Sequence, residues 1–277
     1  MLYSKFLYRP LYHSLSTTLK SSFILISEQR AFNDIAMAPA PQALLLSSSN
    51  CHGYSMLEFA KQEICSFLNK NNVSELIFVP YAQKDHDNYT KKIKDVIDPW
   101  GFKVTGLHTS SDPVATIQQS KAIFVGGGNT FLLLKTLYEN NLVSLIKSRV
   151  DEGSLVYIGS SAGTNVATKS IHTTNDMPIT YPPSFEAIGI VPFNINPHYI
   201  DVIESATHKG ETRDQRIMEF MELEHARPVL GLREGSILNI EGERLILKGI
   251  AGAVLFNVNG PKTELPAGSD VSFLCKK

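Results

Sequence analysis

The sequence predicts an α/β fold: a mainly parallel sheet with helices on both faces, followed by an antiparallel β extension at the C-terminal end. Three observations carry that prediction. Candidate strands such as Ala122-Ile123-Phe124-Val125 and Leu155-Val156-Tyr157-Ile158 are continuous apolar runs, the pattern of strands covered on both sides. From Ala43 onward such runs trade places with stretches of helical period, as parallel crossover units require. After about Val229 the helical stretches stop, and short β-like runs separated by turn residues take over.

Ala43-Leu44-Leu45-Leu46-Ser47 reads as the first strand. Ser55-Met56-Leu57-Glu58 supplies a capping box for a helix whose Leu57, Ala60, Ile64 and Leu68 share one face. Glu75 to Val79 is the next strand, Tyr89 to about Ile97 a helix stopped near Pro99 and Gly101, and Phe102 to Thr105 a third strand. A short helix over Pro113 to Ser120, the strand Ala122 to Val125, and helices over Asn129 to about Glu139 and Leu142 to Glu152 lead into the strand Leu155 to Ile158. The later runs are Val229 to Leu232, Ser236 to Ile240, Arg244 to Leu247, Ala253 to Phe256 and Val271 to Leu274, with turn signals at Gly242, Asn259-Gly260-Pro261 and Ala267-Gly268. No polar linker separates them from the rest. Residues 43–277 are therefore expected to form a single domain, with ligands collecting at the carboxyl ends of its strands.

Residues 1–36 are a different kind of sequence. Lys5, Arg9, Lys20 and Arg30 are accompanied by many Ser, Thr and Tyr residues and by no acid before Glu28, a bias that fits a mitochondrial presequence. Pro10 interrupts the patchy apolar face, and Met37-Ala38-Pro39 offers a second start, so an untidy upstream extension fits equally. Either way residues 1–36 are expected to be an extension, targeting or disordered, outside the folded domain.

In 277 residues, 26 basic and 27 acidic side chains leave a net charge of -1. No dense basic block stands out, which argues against a nucleic-acid partner. No apolar run approaches the roughly 20 residues a spanning helix needs, so no membrane partner is expected. Cys51, Cys65 and Cys275 are far apart and form no C-x-x-C pair. They read as reduced thiols in the cytoplasm, with mitochondrial import as the alternative, and neither a metal centre nor an organic cofactor is expected.

The chemistry concentrates at two strand-to-helix junctions. Gly159-Ser160-Ser161-Ala162-Gly163 follows the strand Leu155 to Ile158, placing Ser161 where a sharp turn lifts a nucleophilic hydroxyl above the sheet and the next N–H can meet an oxyanion. Gly126-Gly127-Gly128-Asn129-Thr130 lacks both the G-K-[ST] end of a Walker loop and the third glycine of a dinucleotide fingerprint. Beside a nucleophile elbow it becomes a source of oxyanion-binding N–H groups at Gly127 and Gly128, joined by Ala162. A serine needs a base, and His198, after Pro197 on what reads as a fixed loop, is the favoured histidine. His172 and His208 are rivals, with His52, His86, His108 and His225 behind them. The base in turn needs an acid. Asp176, in Thr173-Thr174-Asn175-Asp176-Met177-Pro178, and Glu234, at the end of the run from Val229, compete, and spacing does not choose between them. Thr212-Arg213-Asp214-Gln215 is another capping box, and it puts Arg213 in a helix's first turn, where a cation opposes the dipole. Arg213 is either a fork for a substrate carboxylate or a partner of Glu211 or Asp214.

Taken with Ile195-Asn196-Pro197-His198 and His208-Lys209-Gly210-Glu211-Thr212-Arg213, these segments resemble the peptidase E family of α-aspartyl dipeptidases in order and approximate spacing, from about Ala43 to near the C-terminus. The resemblance implies a sheet-and-helix fold like that of class I glutamine amidotransferases. It also implies a serine-dependent dipeptidase that acts on Asp-Xaa dipeptides through an acyl-enzyme; a monomer or homodimer is expected. Ser161 matches the family's nucleophile and His198 its base, while Asp176 and Glu234 both match positions proposed for the acid. Glu234 is favoured for its strand-end setting. Ser160 departs from the pattern, since bacterial members often carry an aromatic residue there. Two other readings share the nucleophile or the pocket: a hydrolase of β-aspartyl, cyanophycinase-like bonds, and a non-catalytic binder of aspartyl peptides.

Overall fold

The computed structural model describes residues 40–201, 210–224, 226–258 and 260–276; the extension over 1–36, His208 and His225 lie outside them. Strands β1 (Gln42–Leu46), β2 (Glu75–Val79), β3 (Lys103–Gly106), β4 (Ala122–Val125) and β5 (Val156–Ser160) are all parallel, in the order β3-β2-β4-β5-β1. Hairpin β8 (Ser236–Glu241) and β9 (Arg244–Gly249) extends the same sheet beyond β1, with β8 antiparallel to it.

Alternation along β1 explains the layering. Leu44 and Leu46 face one side, where they pack with Ile64 and Leu68 of α1 (Lys61–Lys70) and with Tyr89, Ile93 and Ile97 of α2 (His86–Ile97). Ala43 and Leu45 face the other, over α3 (Pro113–Gln119), α4 (Thr130–Glu139), α5 (Leu142–Asp151) and the short α6 (Ala162–Val166). Leu44, Leu45 and Leu46 are wholly buried, and each contributes about 1.5–3 kcal/mol. That is why the run tolerates no polar break before Ser47.

The C-terminal strands differ from expectation in two ways. They divide between two sheets, and one pairing is parallel. β6 (Asn194–Tyr199) runs parallel to β7 (Val229–Arg233), which pairs antiparallel with β10 (Ala253–Phe256) and, through it, with β11 (Thr263–Leu265). This four-stranded sheet turns Ile195, Leu230, Leu232 and Leu255 toward the main core. Its other face, with Tyr199, Val229, Val254 and Phe256, packs on Ile217, Phe220 and Met221 of α7 (Arg213–Met221). The sequence pattern concealed the split because both sheets need the same short apolar runs. Ser272–Cys275 forms a 3-10 helix instead of the expected strand. Ile195 to His198 belongs to β6 instead of to a loop, since its buried residues complete the parallel pair with β7.

Candidate active site

Ser161 stands at the carboxyl end of β5 with φ 53° and ψ -110°, a strained conformation for a residue with a Cβ and the signature of a nucleophile elbow. The flanking glycines are there for lack of space. A Cβ on Gly163 would collide with the Val125 carbonyl, and one on Gly159 would come within 2.6 Å of the Gly163 carbonyl oxygen. The turn is pinned from below as well. Ser161 N–H and Thr164 Oγ1 both donate to the Leu46 carbonyl at the end of β1, at 3.1 and 2.6 Å.

His198 reaches the same point from the second sheet. The β6–β7 register shifts between Asn196 and Tyr199, and His198 itself has φ 52°. Such a bulge re-aims one side chain out of the strand's alternation. Its Nε2 lies 2.9 Å from Ser161 Oγ, and its Nδ1 lies 2.8 Å from Glu234 Oε1. If Nδ1–H donates to the carboxylate, the Nε2 lone pair faces the serine hydroxyl, which is the arrangement general-base activation requires.

Glu234, and not Asp176, is therefore the acid that touches the histidine. Asp176 caps α4: its Oδ2 accepts from Thr130 N–H at 2.8 Å and Thr130 Oγ1 at 2.6 Å, with Thr174 Oγ1 at 3.1 Å. A carboxylate is at home at that helix N-terminus, where unpaired N–H groups and the dipole favour negative charge. Through Asn175, which donates to the Pro197 carbonyl at 2.6 Å, the same segment braces the strand that presents His198.

The glycine loop is close to the nucleophile: a Cβ on Gly127 would lie 3.0 Å from that of Ser161. The expectation for Gly127 as an oxyanion donor needs correction. Its N–H donates to Tyr89 Oη at 2.8 Å in the protein interior, so it is already spent. Burial pushes the Tyr89 phenol up to about 12 despite that donor, which keeps the hydroxyl neutral. The N–H groups of Gly128 and Ala162 have no acceptor among the described residues, and Gly128 adopts φ 139°. These two are free to meet an oxyanion.

Arg213 opens α7 beneath a complete capping box between Thr212 and Gln215. The two acids offered as alternative partners bond elsewhere: Glu211 pairs with Arg216 at 3.4 Å, and Asp214 takes Tyr199 Oη at 2.6 Å and Lys262 Nζ at 2.7 Å. Burial, then the neighbouring Arg216, lowers the Arg213 pKa, and no carboxylate pairs with its guanidinium among the described residues. Since Tyr199 follows His198 and Asp214 follows Arg213, one hydrogen bond ties the two side chains' supports together. His172, by contrast, bonds Ser170 and stacks near Phe185 and Phe220.

Sequence reasoning missed Arg233, which precedes Glu234. Its guanidinium grips Asp201 through Nε and Nη2 at 2.7 and 2.6 Å and reaches Glu264 at 3.0 Å. This clamps the end of β6, which carries His198, to the end of β7, which Glu234 directly follows. The Arg233 hydrogen bonds hold the Asp201 carboxyl below its usual range, so folding favours the ionised form. The stabilisation is then complete above the ordinary carboxylate pKa, about 4, and is lost as pH falls through the depressed value. With Asp201 half exposed, it is worth no more than about 1 kcal/mol. Melting curves across pH 2–7 should show wild type more stable than Asp201→Asn above about pH 4, with the gap closing below it; a gap that widens in acid would refute the clamp.

A hydroxyl at the carboxyl end of the parallel sheet, in series with an imidazole and a carboxylate from the second sheet and beside two N–H groups unpaired among the described residues, defines a serine hydrolase site. Residues 43–248 match Peptidase family S51, and the chain belongs to that family. It is 53% identical over 241 residues to "Probable alpha-aspartyl dipeptidase" of Drosophila melanogaster, covering 87% of this chain and all of the relative. It is 49% identical to the peptidase E of Streptomyces coelicolor, over 83% of this chain and 93% of that one. The fold matches the crystal structure of a peptidase from an acI-B1 actinobacterium with a TM-score of 0.61, at 17% identity, over 84% of this chain and 97% of that one. No helix among the described residues is long and apolar enough to cross a membrane.

Proposed function

We propose that this chain is a serine-dependent dipeptidase that removes an N-terminal aspartate from Asp-Xaa dipeptides. The observation that carries the reading is the continuous relay from Ser161 through His198 to Glu234, at 2.9 and 2.8 Å; the names of the relatives supply the substrate class. Ser161 Oγ attacks the peptide carbonyl carbon while His198 Nε2 takes its proton. The tetrahedral oxyanion accepts hydrogen bonds from Gly128 and Ala162 N–H. The protonated imidazole, steadied by Glu234, passes its proton to the departing amine as the C–N bond breaks. Water, deprotonated by His198, then releases aspartate from the acyl-enzyme and restores the serine hydroxyl.

Arg213 is the specificity element, its guanidinium fork binding the aspartate side-chain carboxylate. Three free thiols, Cys51, Cys65 and Cys275, suit a reducing, cytoplasmic setting. The test is a comparison of Asp-Leu, its β-aspartyl isomer and Ala-Leu. Wild type should favour Asp-Leu over both. Arg213→Ala should lower kcat/KM for Asp-Leu by about 100-fold, the scale of a lost charge-assisted hydrogen bond, and leave Ala-Leu unchanged. An unaltered Asp-Leu to Ala-Leu ratio would remove Arg213 from the pocket, and preference for the β-isomer would overturn the substrate assignment.

A further inference from the structure

The nucleophile and the base come from different sheets, so something must set the distance between them. β1 does so with consecutive residues. The Leu46 carbonyl receives Ser161 N–H and Thr164 Oγ1. Ser47, wholly buried, has a hydroxyl that donates to the Leu232 carbonyl at 2.8 Å and accepts from His198 N–H at 2.9 Å. Ser47 N–H in turn donates to the Ser236 carbonyl at 3.0 Å. That one hydroxyl thus sews the bulge of β6 to the end of strand β7 at Leu232, two residues before Glu234, on a frame shared with the elbow.

We infer that Ser47 is a positioning residue for the reaction: its hydroxyl holds the His198 backbone in its left-handed conformation so that Nε2 meets Ser161 Oγ. The inference rests on the relay proposed above. A residue at φ 52° persists only where its surroundings over-determine it, and Ser47 Oγ is the acceptor that His198 N–H has. Without it, the peptide N–H and the Leu232 carbonyl lose their buried partner together, and the bulge relaxes toward ordinary strand pairing. The imidazole then swings off the serine while the substrate pocket is untouched. Ser47 does not contact the reacting atoms; its effect passes entirely through His198.

The experiment is a double-mutant cycle on Asp-Leu hydrolysis. Ser47→Ala should lower kcat at least tenfold with KM within about twofold, and should slow phosphonylation of Ser161 by diisopropyl fluorophosphate in the same proportion. In a His198→Ala background, Ser47→Ala should cause no further loss, because a residue acting through the imidazole has nothing left to position. Ser47→Cys, the same shape with a somewhat larger sulfur but a poor hydrogen-bonding group, should reproduce the alanine result and serves if the alanine variant does not fold. Undiminished kcat in a folded Ser47 variant, or an equal loss in both backgrounds, would overturn the inference. Full activity in His198→Ala alone would instead overturn the relay, and the two failures are separately visible.

Discussion

Replacing Ser161 with alanine is expected to lower kcat for Asp-Leu by about 10^6-fold, to the residual rate that binding and the oxyanion donors alone provide. The size of that loss follows from the relay: with no hydroxyl, His198 has no proton to accept, and the remaining groups act on a reaction they no longer initiate. Stability should barely change. The one hydrogen bond described for Ser161 Oγ is to His198, and the backbone anchors at Leu46 do not involve the side chain. Alanine also inherits the φ of 53°, so the elbow's strain stays in the fold. Glycine would not inherit it. Ser161→Gly should therefore be as inactive as Ser161→Ala yet melt at a higher temperature, which a residue chosen for packing alone would not show. Ser161→Ala retaining more than about one hundredth of the activity would place the nucleophile elsewhere, since knockouts of a true nucleophile cost several orders more.

The parts of this site legible in the sequence are those a local pattern fixes. Gly159 to Gly163 declared the elbow because a strand that must turn at once into a helix has no room for a Cβ at either glycine. Thr212 to Gln215 declared the start of α7 because a capping box is a contact within four residues. Long-range pairing decided the rest. The expectation for a loop at His198 failed because Pro197 reads as a loop residue, whereas β6 accommodates it next to a bulge beside β7. Gly127 looked like an oxyanion donor until Tyr89, 38 residues earlier, took its N–H. Arg233 gave no signal at all: its partners, Asp201 and Glu264, lie 32 and 31 residues away. No periodicity records such a meeting, which is made by the order of strands in the second sheet.

The choice between the two acids has the next largest consequence. Glu234→Gln should lower kcat by about 10^3-fold, somewhat less than the loss seen when a buried triad acid is neutralised. Glu234 is half exposed, and water can partly replace its carboxylate in steadying the imidazolium. An amide there also presents either oxygen or NH2 to Nδ1, so part of the population holds His198 in the tautomer that cannot accept the serine proton. Asp176→Asn should behave in the opposite way. It removes the charge from the N-terminus of α4 and weakens the bonds to Thr130, costing about 1–3 kcal/mol of stability, while kcat falls by less than about tenfold because the histidine keeps its carboxylate. Measuring both variants by thermal melting and by Asp-Leu turnover separates the roles cleanly, since one residue holds a helix and the other a ring. Should Asp176→Asn prove the slower enzyme and Glu234→Gln the less stable protein, the acid of the relay would have to be reassigned to Asp176.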